Sequence, residues 1–108
     1  MRVKITIIGK VHNVEYKLFL LDLAESLFIE RFYALDWPID GKQAVVVLIE
    51  GEEEQIKQFL KFINERKPEN AIIEEIRVEE FNRPVVPIER YKKTLMVILL
   101  NEIIKIGL

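Results

Sequence analysis

The chain has 108 residues, 16 Lys and Arg against 18 Asp and Glu, a formal net charge of −2 and no Cys. That length suits one compact domain, and with 50% hydrophobic and 31% charged residues the composition is that of a folded chain. Near-balanced charge argues against a general nucleic-acid binder. The missing Cys removes disulfides and thiol chemistry, and a lone His leaves no basis for a structural zinc site, so neither metal nor cofactor is expected.

Met1 runs straight into the alternation Arg2-Val-Lys-Ile-Thr, which carries no signal peptide and predicts a cytoplasmic location. Residues 2–9 read as a strand with Val3, Ile5 and Ile7 on one face. Residues 16–29 read as an amphipathic helix whose inner stripe is Leu20, Leu23, Ala24 and Leu27. Residues 32–37 form a short second strand ending in Trp37, an expected edge-packing residue. Pro38-Ile-Asp40-Gly41 supplies the turn to a third strand, residues 43–50. A second helix covers residues 52–65, with Ile56, Phe59, Leu60 and Ile63 inward. Its opening trio Glu52-Glu-Glu54 suits the positive end of the helix dipole better than a metal site. Residues 71–81 give a fourth strand, and residues 82–87, with Pro84 and Pro87, a connector.

Residues 88–106 are a third periodic segment. On a helical wheel Ile88, Leu95, Leu99, Ile103 and Ile106 share one face, Pro87 suits a helix start and Gly107 a stop. A fifth strand over residues 95–100 is the alternative; the spacing that continues through Ile106 favours helix. The third strand is apolar on both faces, the pattern of a strand buried on both sides, so this helix is expected to cover the sheet face opposite the first two. Val97, Ile98 and Ile104 fall outside its main stripe and are the candidate interface residues of a homodimer or larger homo-oligomer. The longest apolar runs, residues 44–49 and 95–100, hold six residues each, against about 20 for a membrane span. No membrane or nucleic-acid partner is expected. The 16 Ile, 15 Glu and 10 Lys against three Asp and three Gln are a thermophile-like bias.

The string β-α-β-β-α-β plus a helix predicts an α+β, ferredoxin-like sandwich with an added C-terminal helix. The loop after the first strand is more specific. Gly9-Lys-Val-His-Asn-Val-Glu-Tyr-Lys17 resembles the acylphosphatase signature G-x-V-Q-G-V-x-F-R. Ala24, Leu27 and Ile29 continue the match, as do Glu50-Gly51 before the second helix and Pro68, Ala71 and Glu74-Glu-Ile76 in the fourth strand. The resemblance covers residues 1–81 and implies an acylphosphatase-like domain there, with residues 82–108 as connector and a helix that packs on the sheet or on a partner.

The resemblance implies hydrolysis of carboxyl phosphates without metal or covalent intermediate. The loop's backbone N–H groups and an Arg would hold phosphate, and an Asn of the second strand would position water. Lys10, Val11, His12, Asn13, Val14, Glu15, Tyr16 and Lys17 are accordingly the anion-loop candidates. The Arg position, however, holds Lys17, which has no planar fork, and the ungapped Asn position holds Leu35. Asp36 or Asn13 replaces that Asn only if the strand shifts by one residue. Asn13 and Glu15 stand where the family has permissive positions, and a carboxylate on Glu15 repels phosphate. Losing one positioned donor costs about 10² to 10³ in rate. No catalytic residue is therefore assigned. Lys17 reads as a solvated lysine of the first helical turn or as a residual anion ligand, and His12 as a loop donor. Three readings follow: a pseudoenzyme acting as a binding or assembly module, a divergent and weakly active acylphosphatase, or a dimeric small-ligand sensor. A small anion is the ligand class the loop leaves open.

Overall fold

The computed structural model describes residues 1–105. In chain order these form β1 (Arg2–Lys10), α1 (Val14–Ser26), β2 (Arg31–Asp36), β3 (Ala44–Glu50), α2 (Glu53–Glu65), β4 (Ile72–Glu80) and α3 (Ile88–Lys105). This is the expected ferredoxin-like order with an added C-terminal helix, and residues 95–100 are helical. Ile106 and Gly107, expected as the last inward residue and the helix stop, lie outside the described residues.

The four strands make an antiparallel sheet in the order β2-β3-β1-β4. Alternation in β1 sets Ile5 opposite Val47 and Ile7 opposite Val45, and β2 adds Phe32 opposite Ile49. These side chains share one buried core with Leu20, Leu23 and Ala24 of α1 and Ile56, Phe59 and Ile63 of α2. Leu27 and Leu60, both expected inward, are only partly buried. For Leu27 the cause is local: α1 stops at Ser26, and Phe28 takes a left-handed φ of 59° that turns the chain toward β2. Gln55 secures the junction, since its amide donates to the Leu27 and Phe28 carbonyls at 3.0 and 3.1 Å. The turn from β2 to β3 is a two-residue hairpin. Asp40 and Gly41 have φ of 51° and 78°, and Ile39 and Lys42 exchange backbone bonds of 2.9 Å.

The C-terminal helix does not lie where the apolar character of β3 suggested. α3 packs along the β2 edge and against α1, not across the face opposite α1 and α2. The connector decides this. Phe32 N–H donates to the Val86 carbonyl at 3.1 Å, Ile88 N–H to Glu30 O at 2.8 Å, and the Arg31 guanidinium to Val85 O at 2.7 Å. Those bonds bring the chain onto the free side of β2, so α3 starts at the sheet edge. There Tyr91 sets its ring edge-on against Phe32 and Tyr33, at centroid distances of 5.3 and 5.2 Å, and Lys92 reaches Glu25 of α1 at 3.0 Å. On the far sheet face Leu35, Trp37, Val46, Leu48 and Phe81, with Lys4, line a shallow depression of about 280 Å³. Trp37 is 58% exposed and does not pack at the edge.

Glu50 holds the connector down. Its Oε1 accepts from Val85 N–H at 3.1 Å and from Arg2 Nε at 3.0 Å. The Val85 N–H, with the Arg2 guanidinium behind it, holds this carboxyl below the ordinary glutamate value of 4.5. A depressed folded-state pKa means stability that is present above pH 4.5 and lost as pH falls through the folded value. The melting temperature should accordingly fall on acidification past that point. Glu50→Gln should lower it at neutral pH and flatten part of the acid slope, read by thermal melts between neutrality and acid. Unchanged slopes in the variant would separate Glu50 from connector docking.

Candidate functional site at the β1–α1 loop

β1 delivers the loop through a bulge. Its register against β4 shifts between Ile8 and Gly9. Gly9 has a φ of 151°, and a Cβ there would stand 1.9 Å from the Ile72 carbonyl oxygen. Only glycine allows that approach. Asn13 then starts α1 as its N-cap, its Oδ1 accepting from Tyr16 N–H at 2.8 Å. Val11 and Tyr16 are fully buried. The Tyr16 hydroxyl has no partner among the described residues, and burial raises its pKa. Lys10 and Glu15 are exposed, and Val14 packs partly on the core.

Part of the loop's set of anion donors already has an acceptor. Val11 and His12 N–H both donate to Oε1 of Gln43, at 3.0 and 3.2 Å, and Gly9 N–H donates to the Gln43 carbonyl at 3.1 Å. His12 is a loop residue anchored to β3, with Nε2 at 2.7 Å from Ala44 O and 3.1 Å from Ala44 N. Gln43 carries no motif. Its only sequence signal is a polar residue at the mouth of an apolar strand.

Lys17 is not solvated. It is 4% exposed, and its ammonium donates to Asp36 Oδ1 at 2.8 Å. Sheet parity explains the partner. Asp36 lies opposite Val45 and so shares the helix-covered face with Lys17, whereas Leu35 lies opposite Val46 and lines the far-face depression. The residue of β2 that reaches the loop is thus Asp36. Its Oδ1 is also 4.0 Å from His12 Nε2. Above this group opens a cleft of about 420 Å³ between the loop and α3, lined by His12, Asn13, Val14, Glu15, Lys17, Asp36, Ile98 and Glu102. Three carboxylates therefore border the cleft against one ammonium that is already paired. A phosphate dianion entering it meets net negative charge. Among the described residues no cluster of three His, Asp or Glu is arranged to hold a metal ion.

The interface candidates separate by position. Val97 and Ile104 are 57% and 65% exposed. Ile98 instead packs on the core and lines the cleft. No described helix is long and apolar enough to cross a membrane.

A family model described as acylphosphatase matches residues 3–87. No curated protein matches the chain significantly. Among solved structures, the acylphosphatase from Bacillus subtilis superposes with a TM-score of 0.59 at 20% identity, over 76% of this chain and 86% of that one. The acylphosphatase from Coxiella burnetii gives 0.58 at 20% identity, over 79% and 84%. HypF from T. kodakarensis gives 0.59 at 26% identity over 77% of this chain, which corresponds to 10% of that protein.

Proposed function

The chain belongs to the acylphosphatase family, and from that premise we propose that its loop has lost carboxyl-phosphate hydrolysis and that the domain serves in assembly. The observation that carries the loss is the ion pair of the buried Lys17 with the half-exposed Asp36 at 2.8 Å. The cation at the family's phosphate-binding position is neutralised internally, and a carboxylate stands where phosphate would approach it. Gln43 adds a second obstacle, because two loop N–H groups must leave its amide oxygen before they could bind an anion.

Assembly rests on α3, which begins where the family match ends. Met96, Val97, Leu100, Ile103 and Ile104 are each between 47% and 65% exposed, in the last three turns of one helix. Their spacing is self-complementary. An antiparallel pair of α3 helices centred on Leu100 sets Met96 opposite Ile104 and Val97 opposite Ile103. The occupant of this stripe is therefore a second copy of the chain, since a monomer rarely exposes so continuous an apolar strip.

The hydrolase part is tested with benzoyl phosphate. Wild type should give no turnover above the spontaneous rate. Lys17→Arg with Asp36→Asn, which restores a fork and removes the repelling carboxylate, should bind inorganic phosphate more tightly than wild type. Wild-type turnover within about tenfold of an ordinary acylphosphatase, abolished by Lys17→Ala, would overturn the reading.

A further inference from the structure

β4 is the open edge of the sheet. The β2 edge is covered by the connector and α3, whereas among the described residues β4 ends the strand order and pairs only with β1. Its side chains are mostly exposed, including Ile72 at 52% and Val78 at 48%. The direction of its backbone groups follows from one bond. Phe81 N–H donates to Arg2 O at 3.2 Å, and in an antiparallel ladder successive residues alternate between bonding the partner strand and facing away from it. Glu79, Arg77 and Glu75 therefore bond β1, and Ile76, Val78 and Glu80 turn their N–H and C=O outward. The bulge opposite Gly9 interrupts this alternation before Glu75, so the regular platform is residues 75–80.

We infer that this edge docks an extended basic peptide as an added antiparallel strand, with apolar residues alternating with Lys or Arg. This surface is distinct from the loop and from α3. The neighbouring strand displays the chemistry that β4 accepts: β1 reads Arg2-Val-Lys-Ile-Thr, setting Lys4 opposite Glu79, Thr6 opposite Arg77 and Ile5 opposite Val78. A strand on the other side meets the same side chains. Ile76 and Val78 offer it apolar neighbours on one face, and Glu79 offers it a carboxylate on the other, beside Glu75, which Arg77 already holds and which an incoming cation would share. A second copy of β4 does not fit, because each strand brings Glu74, Glu75, Glu79 and Glu80 against the single Arg77. Four carboxylates protect the edge from its own kind and leave it open to a cationic strand.

The probe is a fluorescein-labelled Lys-Val-Thr-Val-Lys peptide with glycine flanks, titrated with the full chain and followed by anisotropy. Saturable binding that weakens with added salt is expected, about tenfold weaker for Glu75→Lys with Glu79→Lys. In the antiparallel register the two Val N–H groups bond Ile76 and Val78, so N-methylating both should abolish binding. N-methylating Thr and one Lys, whose N–H groups face away, should spare it. The second comparison needs no variant and holds if the double charge reversal fails to fold. No binding, equal loss from both methylation patterns, or unchanged affinity in a folded double variant would overturn the inference. So would a change in oligomer size on adding peptide, which would show the edge already occupied by another copy.

Discussion

A chain carrying Leu95→Asp is expected to be largely unfolded, whereas Ile104→Asp should fold normally and sediment as a smaller species. The two residues lie less than three turns apart on α3, yet Leu95 is 1% exposed and Ile104 65%. Removing a buried Leu costs about 2–5 kcal/mol. An unpaired carboxylate in its place adds several more, against a total stability of about 5–15 kcal/mol for a domain of this size. At Ile104 the folding cost should stay within about 0.5 kcal/mol, and the effect falls on helix pairing. Ile98→Asp should do both, because Ile98 packs on the core while lining the cleft. Deleting residues 88–108 uncovers Phe32 and Tyr33 at the β2 edge and should cause aggregation. Circular dichroism and sedimentation velocity read these outcomes. A wild-type monomer at high micromolar concentration would end the assembly proposal, and so would a soluble 1–87 fragment of unchanged stability.

Asp36→Ala should destabilise the domain by about 1–3 kcal/mol, the cost of leaving the buried Lys17 ammonium without its partner. The two ends of the bridge differ: the Lys17 side chain is 5% exposed and that of Asp36 40%. Losing the carboxylate leaves an ammonium with little water, whereas Lys17→Met leaves a carboxylate that can still hydrate and should cost less. The double change Lys17→Met with Asp36→Leu removes both charges. It should recover most of the loss, as apolar replacement of buried pairs commonly does. Chemical denaturation of the four proteins forms the double-mutant cycle. Equal costs for the two single changes would mean that Lys17 reaches solvent, and the internal neutralisation of the loop would fall with it.

The elements were legible because their signals are local. β1 alternates, α2 repeats Ile56, Phe59 and Ile63 at helical spacing, and Asp40-Gly41 supplies two residues that tolerate positive φ. The loop was legible as well, since Gly9 to Lys17 is one uninterrupted stretch whose spacing survives substitution. Less visible was what each loop residue touches. Lys17 sits in the first turns of a helix, where solvation is the ordinary expectation, and its partner is 19 residues away. Gln43 bonds the loop from 31 and 32 residues away, and Glu102 closes the cleft from the far end of the chain.

The sequence by itself determined the order of elements, the ferredoxin-like class, the family and the loss of the Arg and its aligned Asn, all of which depend on residue type and short-range spacing. Tertiary structure alone decided three things. Sheet parity selected Asp36 over Leu35 as the residue facing Lys17, because neighbours in a strand point to opposite faces and only the paired register says which. Hydrogen bonds joining Glu30, Arg31 and Phe32 to Ile88, Val85 and Val86 drew α3 to the β2 edge, where periodicity could show an apolar helix but not its destination. Strand order left β4 open on one side. Each is a long-range choice, made by which surfaces meet once the chain closes on itself, and a local pattern constrains such choices without making them.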